Sequence, residues 1–258
     1  DPSSNAYNQG INCEHTFPQS MGAGDEPQKS DMHHLFPCKS NVNSSRGNDP
    51  FAEISDEETD KWYRDDYYLT TIPEEYIDEY AEKLNHFDER FEPREDHKGN
   101  TARAMFYFNA IYNNVADQNF WDLQKDDLLD WNYLDEVDPE EVGRTWEIAS
   151  YQGNPNPFVL DNSLALRIWF EDQIVYGCTD PSSPNYNPEA NVNDGTCLNI
   201  LGDLNNDSEV DILDVVLMVD WILSSYIPTY YQLTAGDLSG DGTIDVLDVV
   251  ALVELILN

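Results

Sequence analysis

The chain has 258 residues, enough for one sizeable core and a second small unit. Hydrophobic residues at 40% and aromatics at 12% exclude a disordered acidic chain, and no apolar run is long enough to span a membrane. A formal charge of −38 keeps such a chain soluble and counts against a nucleic-acid substrate, because it repels phosphate at long range. All 13 Lys and Arg lie at or before Arg167, and beyond it acids occur with no base at all. Carboxylates in such a tail can serve as cation ligands, alongside a salt-adapted surface. The sequence opens without Met or a signal peptide, which reads as a mature or truncated piece with upstream strands outside it.

Residues 1–50 are rich in Asn, Ser, Gly and Pro, so loops and short strands are expected. Within them, Glu14 and His15 precede a turn-rich stretch, and the segment from Asn41 to Arg46 reads as a short helix carrying Asn43. Phosphodiester hydrolysis needs a base for water, a cation for developing charge and donors for phosphate. His15 suits the first task. Glu14 and Asn43 offer the hard oxygens that suit Mg2+. Arg46 can grip a phosphate through two parallel hydrogen bonds. Asp31, His33 and His34 lead into Leu35–Phe36–Pro37, and the two histidines are expected to buttress rather than react.

Four cysteines, Cys13, Cys38, Cys178 and Cys197, allow three connectivities, of which sequential pairing is the simplest. Two disulfides would imply an extracytoplasmic compartment. A Cys13–Cys38 bridge would clamp the loop between Glu14 and Asn43.

Residues 51–98 are acidic, aromatic and poorly periodic, and irregular structure is expected there. Trp62, Tyr63, Tyr67, Tyr68, Tyr76 and Tyr80 read as core packing before base stacking. From residue 100 the pattern turns helical. Asn100 is expected to cap a helix with Ala104, Met105, Phe108, Ile111 and Tyr112 on one face. Further helices are expected over Asn119–Leu129, from Asp138 with Pro139 at its first position to about Tyr151, and from Asp161 through Leu164, Ile168 and Trp169. A surface groove of Lys39, Arg46, Arg94, Lys98 and Arg103 is the expected positive patch. Residues 178–197 read as a disulfide-closed linker, worth about 3 kcal/mol in the chain-entropy model.

The tail repeats itself. GDLNNDSEVDILDVVLMV from Gly202 matches GDLSGDGTIDVLDVVALV from Gly236. The first loop sets Asp203, Asn205, Asp207, Glu209, Asp211 and Asp214 at positions 1, 3, 5, 7, 9 and 12 of a calcium loop. The second sets Asp237, Ser239, Asp241, Thr243, Asp245 and Asp248 there. Ser208 stands where such loops have Gly, and Asp rather than Glu ends both. Each loop leads into a helical stripe: Ile212, Val215, Val216, Val219, Ile222 and Leu223, then Val246, Val249, Val250, Val253, Ile256 and Leu257. Two bound Ca2+ would neutralise the carboxylates and drive folding. This tail resembles a dockerin, which implies a cohesin-like partner. Positions 10 and 11, often small and polar in dockerins, are here Ile212–Leu213 and Val246–Leu247.

CEHTFPQS, KSDMHHLFP, NVNSSRGN, GNTARAMFYF and YQGNPNPFVLD resemble, in order, blocks of the secreted endonuclease I family of ββα-metal (His-Me finger) nucleases. The resemblance implies an α+β fold: a ββα-metal finger domain with several packing helices, followed by a small all-α duplicated calcium-loop domain. It implies domains at 1–177 (catalytic), 178–197 (linker) and 198–258 (dockerin-like). It implies His15 as general base, one Mg2+ on Glu14 and Asn43, and Arg46 and Asn48 orienting helix or phosphate. The implied reaction is non-specific cleavage of DNA, often RNA too, leaving 5′-phosphates, by a secreted or cell-surface-tethered protein. The alternative is a non-catalytic calcium-dependent docking or adhesion protein with a degenerate nuclease domain. A zinc peptidase is disfavoured, since no HExxH occurs.

Overall fold

The computed structural model describes residues 6, 8–86, 88–181, 183, 185–197, 200–205, 207, 209–224, 226, 228 and 230–257. The chain forms two compact units, Asp1–Trp169 and Phe170–Asn258. Among the described residues, no helix is long and apolar enough to cross a membrane. Mixed α and β structure in the first unit is followed by a helical region in the second.

In the first unit, strand β1 (Ile11–His15) pairs antiparallel with β2 (Leu35–Lys39), and helix α1 (Ser40–Arg46) follows directly. This is a ββα finger. Its register explains a correction. Cys13 lies opposite Pro37, and Cys38 lies opposite Asn12. Facing residues share a side of the ribbon and neighbours alternate, so the two thiols point to opposite faces. Both are free, and the expected Cys13–Cys38 clamp does not form.

Residues 51–98 are not irregular, as expected, but hold a four-stranded antiparallel sheet. Strands β3 (Lys61–Arg64), β4 (Tyr67–Leu69), β5 (Ala81–Leu84) and β6 (Arg90–Glu92) run in the order β4-β3-β5-β6. The sheet hides from periodicity because it buries charge: Glu82, Lys83 and Glu92 are all buried. Lys83 pairs with Asp49, and Glu92 with Lys98 at 2.8 Å.

Helix α2 (Lys98–Ile111) is the axis of the core, with Ala102, Ala104, Met105, Phe106, Tyr107 and Phe108 all buried. Such a helix has no single apolar face, and Ile111 is left exposed. His97, not Asn100, stands at its N-cap. The expected helix over 119–129 is two, α3 (Gln118–Asp122) and α4 (Lys125–Leu134). At the break, the Gln124 carboxamide accepts from Phe51 N at 3.1 Å. Helix α5 (Pro139–Gln152) begins as expected: Asp138 accepts from Glu141 N at 2.7 Å. The short helices α6 (Pro157–Leu160) and α7 (Leu164–Trp169) complete the unit.

In the second unit, Cys178 and Cys197 form a disulfide. The loop it closes carries a small parallel ladder, Tyr176–Gly177 with Val192–Asn193. Helices α8 (Ile212–Ser224) and α10 (Val246–Leu257) flank α9 (Tyr230–Gly236). Their core holds Leu204, Met218, Trp221, Ala235 and Leu252, with Val215, Val249 and Ile256 packed against it. Of the expected stripes, only Val215, Val249 and Ile256 pack on this core. Ile212, Val216, Leu223, Val246, Val250 and Leu257 stay exposed, because both helices are apolar around most of their circumference and only one face can be shared.

Candidate active site

The finger fixes each residue singled out above. Asn43 Nδ2 donates to Asn12 Oδ1 (2.9 Å) and to Cys13 O (3.2 Å), tying α1 to β1. Those bonds use the amide nitrogen and leave Oδ1, the atom a hard cation takes, for another partner. Glu14 is mostly buried; burial pushes its carboxyl up, and the Arg46 guanidinium pulls it partly back down. Glu14, Cys38, Asn43 and Arg46 line one cavity of about 590 Å³, which Tyr63, Arg64 and His97 line as well. A carboxylate and a carboxamide oxygen on one wall fit a single Mg2+ that keeps most of its waters.

His15 follows Glu14 and so lies on the next pleat, outside that wall. Its Nε2 is 3.0 Å from Lys29 O. A carbonyl only accepts, so Nε2 carries the proton and Nδ1 is left as the ring's acceptor. The Gln19 amide nitrogen lies 3.4 Å from the same Nε2. That longer contact cannot be a second donation to a protonated nitrogen, and the shorter bond decides the tautomer.

Of the two tasks expected of Arg46, orienting the helix is the one its contacts match. It is 2% exposed, and its guanidinium donates to Glu14 Oε1 (2.9 Å), His15 O (3.2 Å) and Thr16 O (2.9 Å) while lying 4.5 Å over the Phe51 ring. Both terminal nitrogens are spent on the segment that carries Glu14 and His15, which ties helix α1 to β1. The positive patch is corrected for the same reason. Lys98 is buried among Glu53, Glu92 and Glu95, at 2.7–2.8 Å. Arg103 is buried against Glu141. Only Lys39 and Arg94 reach the surface, each beside an acid, Asp66 and Asp96. Lys98 also explains the acid cluster Glu53–Glu92–Glu95: an ammonium already holds the place a metal would take.

His33 and His34 are buried and each bonds a backbone carbonyl, Asn154 O at 2.8 Å and Gln28 O at 2.7 Å. Burial pulls both rings below the usual histidine value, His34 to about 4. The segment carrying them and the Lys29 carbonyl is anchored by Asp31, which sequence reading noticed without assigning a task. Asp31 accepts from His33 N, Gln152, Tyr107 and Tyr112 at 2.6–3.0 Å. Burial alone would raise this carboxyl, but those four donors hold it below the usual range. Arg144 was missed altogether. From α5 it donates to Met32 O (2.7 Å) and Leu35 O (2.9 Å), fixing the start of β2.

In the second unit, the last carboxylate of each loop is buried. Asp214 accepts from Leu204 N, Asn205 N and Asp211 N, and Asp248 from Ser239 N and Asp245 N. Asp203 is buried too, and Asp237 accepts from Gly240 N, Asp241 N and Gly242 N. No Lys or Arg exists in this part of the sequence to offset these charges. Buried carboxylates without a basic residue fit a bound cation, and Ca2+ suits the remaining oxygens of Asn205, Asp207, Glu209, Asp211, Ser239, Asp241, Thr243 and Asp245. Ser208 lies outside the described residues.

Known proteins agree with both halves. A family model described as Endonuclease I matches residues 2–163, and one described as Dockerin type I domain matches residues 201–257. An extracellular ribonuclease of Bacillus subtilis (strain 168) is 31% identical over 176 residues, 61% of this chain and 54% of the relative. An extracellular ribonuclease of Bacillus amyloliquefaciens is 30% identical over 177 residues, 61% and 53% respectively. The chain thus spans about half the length of the curated relatives it matches. With the finger, its cavity and a family match over most of the first unit in hand, the chain belongs to the Endonuclease I family and carries a dockerin type I domain after it.

Proposed function

We propose that the chain is a secreted, Mg2+-dependent endonuclease that hydrolyses DNA or RNA without strong sequence specificity. The observation that carries this reading is the finger itself: Glu14 and Asn43 share a cavity wall, and the adjacent His15 has Nε2 committed to Lys29 O. His15 Nδ1 takes a proton from the attacking water. Glu14 and Asn43 hold the magnesium, which when bound stabilises charge on the phosphate and on the leaving oxygen. Arg46 keeps Glu14 and the His15 backbone in register. The curated relatives named extracellular ribonucleases support both secretion and an RNA substrate beside DNA. The dockerin domain binds two Ca2+ and docks onto a cohesin-like partner. Its exposed pairs Ile212–Leu213 and Val246–Leu247 make that contact apolar.

Plasmid DNA and a structured RNA, each incubated with the chain in magnesium and in EDTA, test the reading. Cleavage in magnesium alone supports it. Intact nucleic acid under every metal, with calcium-dependent capture of a cohesin, would favour a docking protein with a silent nuclease domain.

A further inference from the structure

The cavity lining carries a feature the hydrolytic chemistry does not use. Arg64, on β3, lines the cavity, and its guanidinium lies 5.0 Å from the centre of the Tyr76 ring and 5.7 Å from that of Tyr80. Arg64 and Tyr67 face each other across the β3–β4 ladder, so they share one side of the ribbon. The Tyr67 hydroxyl is 3.0 Å from that of buried Tyr80. Tyr67 is 45% exposed and Tyr76 61%. Tyr76 also sits at φ 56°, a left-handed conformation that a bulky residue adopts at a cost. The chain therefore sustains strain at an exposed aromatic ring that lies over the guanidinium of a cavity-lining arginine.

Resting on the nuclease reading above, we infer that Tyr67, Arg64 and Tyr76 form a stacking platform for unpaired bases of a single-stranded nucleic acid whose backbone runs into the Glu14–Asn43 cavity. Aromatic rings and arginine planes are the surfaces on which splayed bases stack, and a paired duplex cannot offer its base faces to them. Charge decides against the other reading of Arg64, as a phosphate clamp. Glu79 pairs with it, and Asp65 lines the same wall. Acids at this rim repel phosphate, so affinity here comes from ring faces, and salt should weaken it only shallowly.

The test is binding of a fluorescein-labelled 15-nucleotide oligouridylate and of a 15-base-pair RNA duplex in EDTA, where nothing is cleaved. The full chain should bind the single strand more tightly than the duplex. Replacing both rings, Tyr67→Ala with Tyr76→Ala, should weaken single-strand binding about tenfold or more. Tyr67→Phe with Tyr76→Phe, which keeps the rings, should bind like the parent. Unchanged affinity of the alanine pair, loss of binding in the phenylalanine pair, or preference of the parent for duplex would each overturn the platform. Because binding is read without cleavage, a chain that binds as described but cleaves nothing would sink the nuclease reading and leave this one standing.

Discussion

Replacing Arg46 by Met separates two roles that sequence alone could not. The side chain is buried, and its charge is spent on Glu14 and two backbone carbonyls. Methionine fills much of the volume but leaves the mostly buried Glu14 carboxylate and the His15 and Thr16 carbonyls without their donor. Breaking a buried pair by removing one partner costs about 3–5 kcal/mol. For a unit of this size that is a large share of the total stability, and each kcal/mol lowers the midpoint by about 2–4 °C, so a fall of roughly 10 °C is expected. Arg46→Lys should recover only part of it, since an ammonium lacks the planar fork that meets three acceptors. Denaturant and thermal unfolding read the stability, and cleavage against magnesium concentration reads the site. A variant with parental stability whose only defect is a salt-dependent rise in KM would refute this and restore Arg46 as a phosphate ligand.

Four further outcomes follow. Glu82 and Glu92 face each other across β5 and β6, and burial pushes them up to about 8 and about 7 from an ordinary 4.5. Carboxyls raised in the folded state favour folding while protonated, and that contribution disappears as pH rises through 7 and 8. Glu82→Gln should therefore gain on the order of 2 kcal/mol over the parent at pH 8 compared with pH 5, and equal stability differences at both would contradict the assignment. Under denaturing, non-reducing conditions two thiols per chain should react with a thiol reagent, Cys13 and Cys38; none reacting would mean they are bridged. Adding calcium to EDTA-treated chain should raise helicity and change the environment of buried Trp221, and an unchanged spectrum would argue against calcium-driven folding. Asp31→Asn, which weakens the anchor of the Lys29 segment, should lower kcat with a smaller change in KM; a pure loss of stability with full kcat in the folded fraction would leave Asp31 without a positioning role.

What the sequence made legible was whatever a local pattern encodes. The finger helix, the capping of α5 by Asp138, the duplicated dockerin repeat and the Cys178–Cys197 loop all lie within short windows whose chemistry is self-contained. Properties set by distant partners were not legible. Lys98 and Arg103 counted as surface bases because charge is expected outside, yet Glu53, 45 residues before Lys98, and Glu141, 38 residues after Arg103, help draw both inside. The sheet over 61–92 stayed hidden because its strands bury Glu82, Lys83 and Glu92 on faces where alternation predicts apolar residues. The Cys13–Cys38 pairing failed on a register offset of one residue, which spacing along the chain does not carry.

Whether His15 is the base of a metal-dependent phosphodiesterase is decided by cleavage of plasmid and RNA by the parent and by His15→Ala, with magnesium and with EDTA. The parent should cleave in magnesium and not in EDTA, and the variant should lose about 10²–10⁴-fold at unchanged folding stability. A His15→Ala chain that cleaves as fast as the parent would contradict it.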